Sequence, residues 1–155
     1  MKKITILFLF QTIFSFAQDF KTPYEKGNGN QTTTYEEMVK FYDDLDKNFE
    51  SISVVEKGKD DNGELIRVVI FDNSKKQNIP VIFINNGIHP GEPDGIDATM
   101  MLMRDLALGK IKVPQNTKVA GIEAYNISGM QRRGKFSRAN QNGPEEHGFR
   151  GNARN

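Results

Sequence analysis

Residues 80–108 read PVIFINNGIHPGEPDGIDATMMLMRDLAL, and the fold turns on this stretch. PVIFINN is an almost wholly apolar run, the pattern of a central strand in a sheet covered on both faces. DGIDATMMLMRDLAL, 94–108, is a nearly all-apolar helical segment closed by Gly109, and Pro93 or Asp94 suits its first turn. Between them NNGIHPGEPDG, 85–95, is a Gly/Pro-rich turn that carries His89 and Glu92 three residues apart. A histidine in such a turn is more often structural than ligating. Three features favour a ligand here. The turn leaves a strand end, where open α/β sheets place their ligands. Gly87, Gly91 and Gly95 let the backbone bend so that both side chains face one point. Asn and Pro, rather than apolar residues, surround them.

Outward from this unit the pattern continues as α/β. Thr34 precedes YEEMVKFYDDLDKNF with Glu37 three residues on, a capping box, and Tyr35, Met38, Phe41, Tyr42, Leu45 and Phe49 fall on one helical face. SISVVEKG and ELIRVVIF read as two strands joined by KGKDDNG, whose Asp-Asn-Gly chemistry makes a hairpin. VAGIEAYNIS, 119–128, reads as a further strand. The expected order is α, β, β, β, α, β, a mixed parallel and antiparallel sheet flanked by helices, with no internal repeats. Residues 18–33 read as an extended, polar lead-in. From Met130 onward the chain has little apolar content and six basic residues, a tail or a functional loop.

A length of 155 residues gives room for one domain, with 34–155 as its body. Cysteine is absent, which removes disulfides and thiolate ligands and leaves His, Asp and Glu to hold any metal. The first 17 residues, MKKITILFLFQTIFSFA, have Lys2 and Lys3, an apolar stretch too short to span a bilayer, and Ser15 and Ala17 at the positions a signal peptidase reads. They are expected to be a secretory signal directing the protein to the periplasm or medium, with no lipobox cysteine for a stable membrane anchor. Its removal leaves 19 basic residues against 20 acidic, which argues against nucleic acid as a partner.

INNGIHPGEPDGID resembles the first metal-binding motif of the zinc carboxypeptidases, the carboxypeptidase A and B superfamily. There an H-x-x-E follows a sheet strand, precedes a helix, and supplies two ligands of a His₂Glu zinc site. The helix in TTYEEMVKFYDDL, the hairpin, PVIFINNGIHPGE, the next helix and IEAYNISGMQRR follow the order of the family's first half, so the resemblance covers roughly residues 32–155. It implies a truncated hydrolase-type carboxypeptidase fold, Zn²⁺ as cofactor, His89 and Glu92 as metal ligands, and a peptide or peptide-like substrate. A family arginine that stabilises the oxyanion is matched best by Arg138 in KFSRANQNG, with Arg132 and Arg133 as rivals.

The match then runs out. Family members take the third zinc ligand from a later strand, so His147 in GPEEHGFRGN is read as a loop residue. The family's D-x-N-R motif, whose Asn and Arg grip the substrate carboxylate, and its general-base glutamate are by this resemblance also expected beyond residue 155, which makes this the N-terminal part of a larger catalytic domain, inactive alone. A sheet so curtailed exposes apolar edges. Gly91 stands where carboxypeptidase A-like members often have arginine, which leaves a zinc-dependent deacylase of N-acyl amino acids, or a non-catalytic binding relative, as alternatives.

Overall fold

The computed structural model describes residues 19–137 and 143–152. The expected signal at 1–17 and the candidate Arg138 lie outside them. The helices are α1 (Pro23–Lys26), α2 (Tyr35–Asn48), α3 (Asp94–Ala107) and α4 (Ile127–Gln131); the strands are β1 (Ile52–Lys59), β2 (Leu65–Phe71), β3 (Val81–Asn85) and β4 (Lys118–Ile122).

The sheet order is β1-β2-β4-β3. β1 and β2 form the expected hairpin, with a bulge at Glu56/Gly58, and Asp60 shapes its turn by accepting from Asn62 and Glu64 N–H at 2.9 Å each. β4 runs antiparallel to β2 and parallel to β3. The mixed α/β architecture therefore stands as the sequence implies. The capping box of α2 also forms: Thr34 Oγ1 accepts from Glu37 N, and the Glu37 carboxylate accepts from Thr34 N. Met38, Phe41, Tyr42 and Leu45 from α2 meet Ile96, Met100, Met103 and Leu106 from α3 in one core with Val69, Phe71 and Val119 of the sheet.

Three expectations need correction. PVIFINN is not a central covered strand among the described residues. β3 lies at the sheet edge, with Val81, Ile82 and Phe83 exposed, because β4 pairs with one side only. The strand read over 119–128 stops at Ile122, since Asn126 Oδ1 accepts from Gly129 N and starts α4. The lead-in is not wholly extended, because Thr22 and Glu25 form a second capping box around α1. Of the two readings left open for the end of the chain, a tail or a loop, the described part is held as a loop: Phe149 N–H donates to Gly129 O at 2.7 Å.

Candidate metal site

The site is built by the turn that joins β3 to α3. Asn86 points inward, donating from Nδ2 to Thr99 Oγ1 at 2.9 Å and to Ile122 O at 3.2 Å, which ties the strand end to α3 and β4. Gly87 then adopts φ +66°, and a Cβ there would stand 3.1 Å from Ile96 Cδ1 and 3.2 Å from Ala124 Cα. Of the three glycines expected to bend this turn, Gly91 and Gly95 are not in the left-handed region. The His89 carbonyl accepts from Glu92 N–H at 2.8 Å, closing a tight turn with Pro90 and Gly91 at its centre. Proline pre-sets φ at the first central position of such a turn.

This geometry brings the two predicted ligands together. His89 Nδ1 lies 3.7 Å from Glu92 Oε2, and both side chains are partly open to solvent. Donors on one tetrahedral zinc are about 3.4 Å apart, given bond lengths of roughly 2.0–2.2 Å. An imidazole nitrogen and a carboxylate oxygen are also the donor types zinc accepts, so the pair fits as part of a zinc site. It is not a complete one: among the described residues no three His, Cys, Asp or Glu side chains converge to hold an ion. His147 does not close the set. It is buried, its backbone bridges Gly134, and its Nδ1 lies 3.4 Å from Gly148 O.

The segment after His147 packs against the turn. A Cβ on Gly148 would collide with Pro90, and Asn126 Nδ2 donates to Gly151 O at 3.0 Å. This lays Arg150 beside the candidate pair, with Nη1 3.8 Å from Glu92 Oε1. In the sequence Arg150 is only one more basic residue of the terminal stretch; what places it here is tertiary packing. The rivals of Arg138 have other contacts. Arg133 donates to the carbonyls of Thr33, Thr32 and Glu146, clamping the lead-in to the loop. Arg132 donates to Asn152 O at 3.0 Å and lies over the Phe149 ring. A cleft of about 340 Å³ opens next to the turn, walled by Ile66, Ile88 and Tyr125.

Just beyond β4, Glu123 is 1% exposed. Its Oε2 lies 3.3 Å from Arg67 Nε, while Arg67 also pairs with Asp43. Burial pushes the Glu123 carboxyl up to about 8; Arg67 opposes the rise and Asp43 adds to it. Nothing in the sequence marked this residue, because a glutamate in VAGIEAY reads as the polar position of a half-buried strand.

No family model and no curated protein matches the sequence. Solved structures do match. Carboxypeptidase A from Helicoverpa armigera aligns at 23% identity with a TM-score of 0.59, over 65% of this chain and 26% of that one. The chain has the carboxypeptidase fold. Metallo-carboxypeptidase from Burkholderia cenocepacia aligns at 18% identity with a TM-score of 0.55, over 63% of this chain and 28% of that one. Bovine thrombin-activatable fibrinolysis inhibitor, solved in complex with tick carboxypeptidase inhibitor, aligns at 15% identity with a TM-score of 0.57, over 66% of this chain and 33% of that one. The chain thus spans about a quarter to a third of the length of these three solved chains. Among the described residues no helix is long and apolar enough to cross a membrane.

Proposed function

We propose that this chain is part of a secreted zinc metallocarboxypeptidase, with residues 1–17 as its export signal and His89 and Glu92 as two of the zinc ligands. The observation that carries the reading is the 3.7 Å approach of His89 Nδ1 to Glu92 Oε2, on a turn that leaves a parallel strand of a carboxypeptidase fold. When bound, zinc supplies a Lewis acid and lowers the pKa of a coordinated water toward neutrality. The chain's own residues do the rest of what is available here. The Pro90–Gly91 turn fixes the spacing of the two donors. Arg138 is proposed to stabilise the negative charge that develops on a peptide carbonyl oxygen in the transition state. Arg150 sets a positive charge beside Glu92. The third ligand and the general base are not identified among these residues, so hydrolysis is proposed of the whole protein and not of residues 18–155 alone.

Zinc titration of residues 18–155 by calorimetry tests the reading. Binding is expected to be weak, to fall by at least about tenfold in both His89→Ala and Glu92→Gln, and to be unaffected by His147→Ala. Unchanged affinity in both of the first two variants, or tight stoichiometric binding abolished by His147→Ala, would overturn the ligand assignment.

A further inference from the structure

Among the described residues, the buried side-chain atoms without a hydrogen-bond partner are Tyr42 Oη, Arg67 Nε and both carboxylate oxygens of Glu123. Such atoms are rare in folded proteins and each calls for an explanation. These four belong to one neighbourhood. Arg67 Nε is close enough to Glu123 Oε2 for an ion pair, at 3.3 Å, yet is not aligned for a hydrogen bond. Glu123 also acts electrostatically on Tyr42 across the core.

The charges do not balance while Glu123 is ionised. Facing it are Arg67 from β2 and, from α2, Asp43, Tyr42 and Tyr35; Asp97 of α3 also acts on Tyr42. One guanidinium therefore serves two carboxylates, and the better-placed partner is Asp43. A proton on Glu123 leaves the Arg67–Asp43 pair balanced and gives the cluster an O–H donor.

This cluster underlies the candidate site. Glu123 N–H donates to Arg67 O at 3.1 Å. Two residues on, Tyr125 N–H donates to Asn86 O at 2.8 Å and Asn126 N–H to Gly87 O at 2.9 Å, so segment 123–126 is the rail on which the approach to His89 rests. We infer that Glu123 and Arg67 are a positioning pair beneath the His89 turn, and that a proton on Glu123 sets how firmly the pair holds it. Ionised, the carboxylate is an unbalanced charge in the core, and its relief is to open 123–126 to water, which loosens the two bonds that seat Asn86 and Gly87.

The sign follows from linkage. The folded protein keeps a proton that the unfolded chain releases near 4.5, so this contribution to stability is fully present below that pH and is lost as pH rises through about 8. The significance for zinc rests on the proposed role of His89; the titration itself does not.

The test follows the Glu123 carboxyl carbon by NMR in ¹³C-glutamate-labelled protein, assigned through its own backbone amide. A midpoint near 8 is expected, and a midpoint in the ordinary carboxylate range overturns the inference. Amide exchange of Tyr125 and Asn126, corrected for intrinsic base catalysis, is expected to accelerate several-fold (roughly) across that midpoint in the wild type and not in Glu123→Gln. Identical pH profiles in the two proteins overturn the coupling to the turn. Should Glu123→Gln fail to fold, the wild-type titration still decides the proton. A zinc titration indifferent to His89→Ala would sink the site reading and leave both of these readouts standing.

Discussion

At the scale of single residues, the candidate site depends on local chain geometry that side-chain chemistry alone does not show. Gly87 holds φ +66° with Ile96 Cδ1 and Ala124 Cα close to where a Cβ would sit. Gly87→Ala must therefore pay for a left-handed alanine and shift its neighbours, a cost of about 1–3 kcal/mol. Urea denaturation is expected to show that loss, and zinc titration is expected to show weaker binding, because the strained position lies two residues before His89. A stability within experimental error of wild type would mean that the turn yields easily and does not fix the donor pair. His89 and Glu92 were legible in the sequence because a four-residue turn is a local event: the spacing, the proline and the glycine are all printed side by side. Arg150 and Glu123 were not. Arg150 reaches Glu92 only after residues 148–151 dock on Pro90 and α4, and Glu123 is buried beside Arg67 of β2, whose other partner is Asp43 of α2.

At the scale of elements, periodicity and caps read well where an element is long enough to repeat. Helix α2 shows this most directly. Its buried face is the one its heptad-like spacing implies, and Thr34 and Glu37 satisfy each other's backbone donors at 3.1 and 2.9 Å. Thr34→Ala removes one reciprocal bond from an exposed helix start and is expected to cost about 1 kcal/mol. Leu45→Ala, at a fully buried position between α2 and the sheet, is expected to cost about 2–5 kcal/mol. Denaturant unfolding of the two variants separates the contributions; a larger loss for Thr34→Ala than for Leu45→Ala would contradict the view that packing outweighs capping here. The elements that escaped the sequence reading are α1 and α4, of four and five residues. Neither is long enough to show an apolar period, and each is started by a single side chain, Thr22 or Asn126, in stretches whose composition looks like loop or strand. The length of β4 was misread for the same reason: the cap at Asn126 ends the extended chain before its apolar character ends.

At the scale of the whole molecule, the order β1-β2-β4-β3 leaves β3 with one edge unpaired among the described residues, and with an apolar surface. Both sides of the strand are involved, since consecutive residues point to opposite faces and Val81, Ile82 and Phe83 are 53%, 49% and 58% exposed. This is why a run that reads as central emerged at an edge: the apolar pattern specifies burial on both faces, but the neighbours that would bury it are not among the described residues. Native edges are usually guarded by charge, proline or a bulge. Here Pro80 stands before the strand and Asn85 ends it, with no charged residue between. Residues 18–155 are therefore expected to self-associate as concentration rises, through pairing along β3. Phe83→Lys places a charge at the most exposed of the three positions. It is expected to shift the protein toward monomer in sedimentation velocity while changing unfolding stability by no more than about 0.5 kcal/mol, because little packing is lost. Association unchanged by the substitution would move the interface elsewhere. A marked loss of stability would contradict the exposure of Phe83 on which the expected association rests.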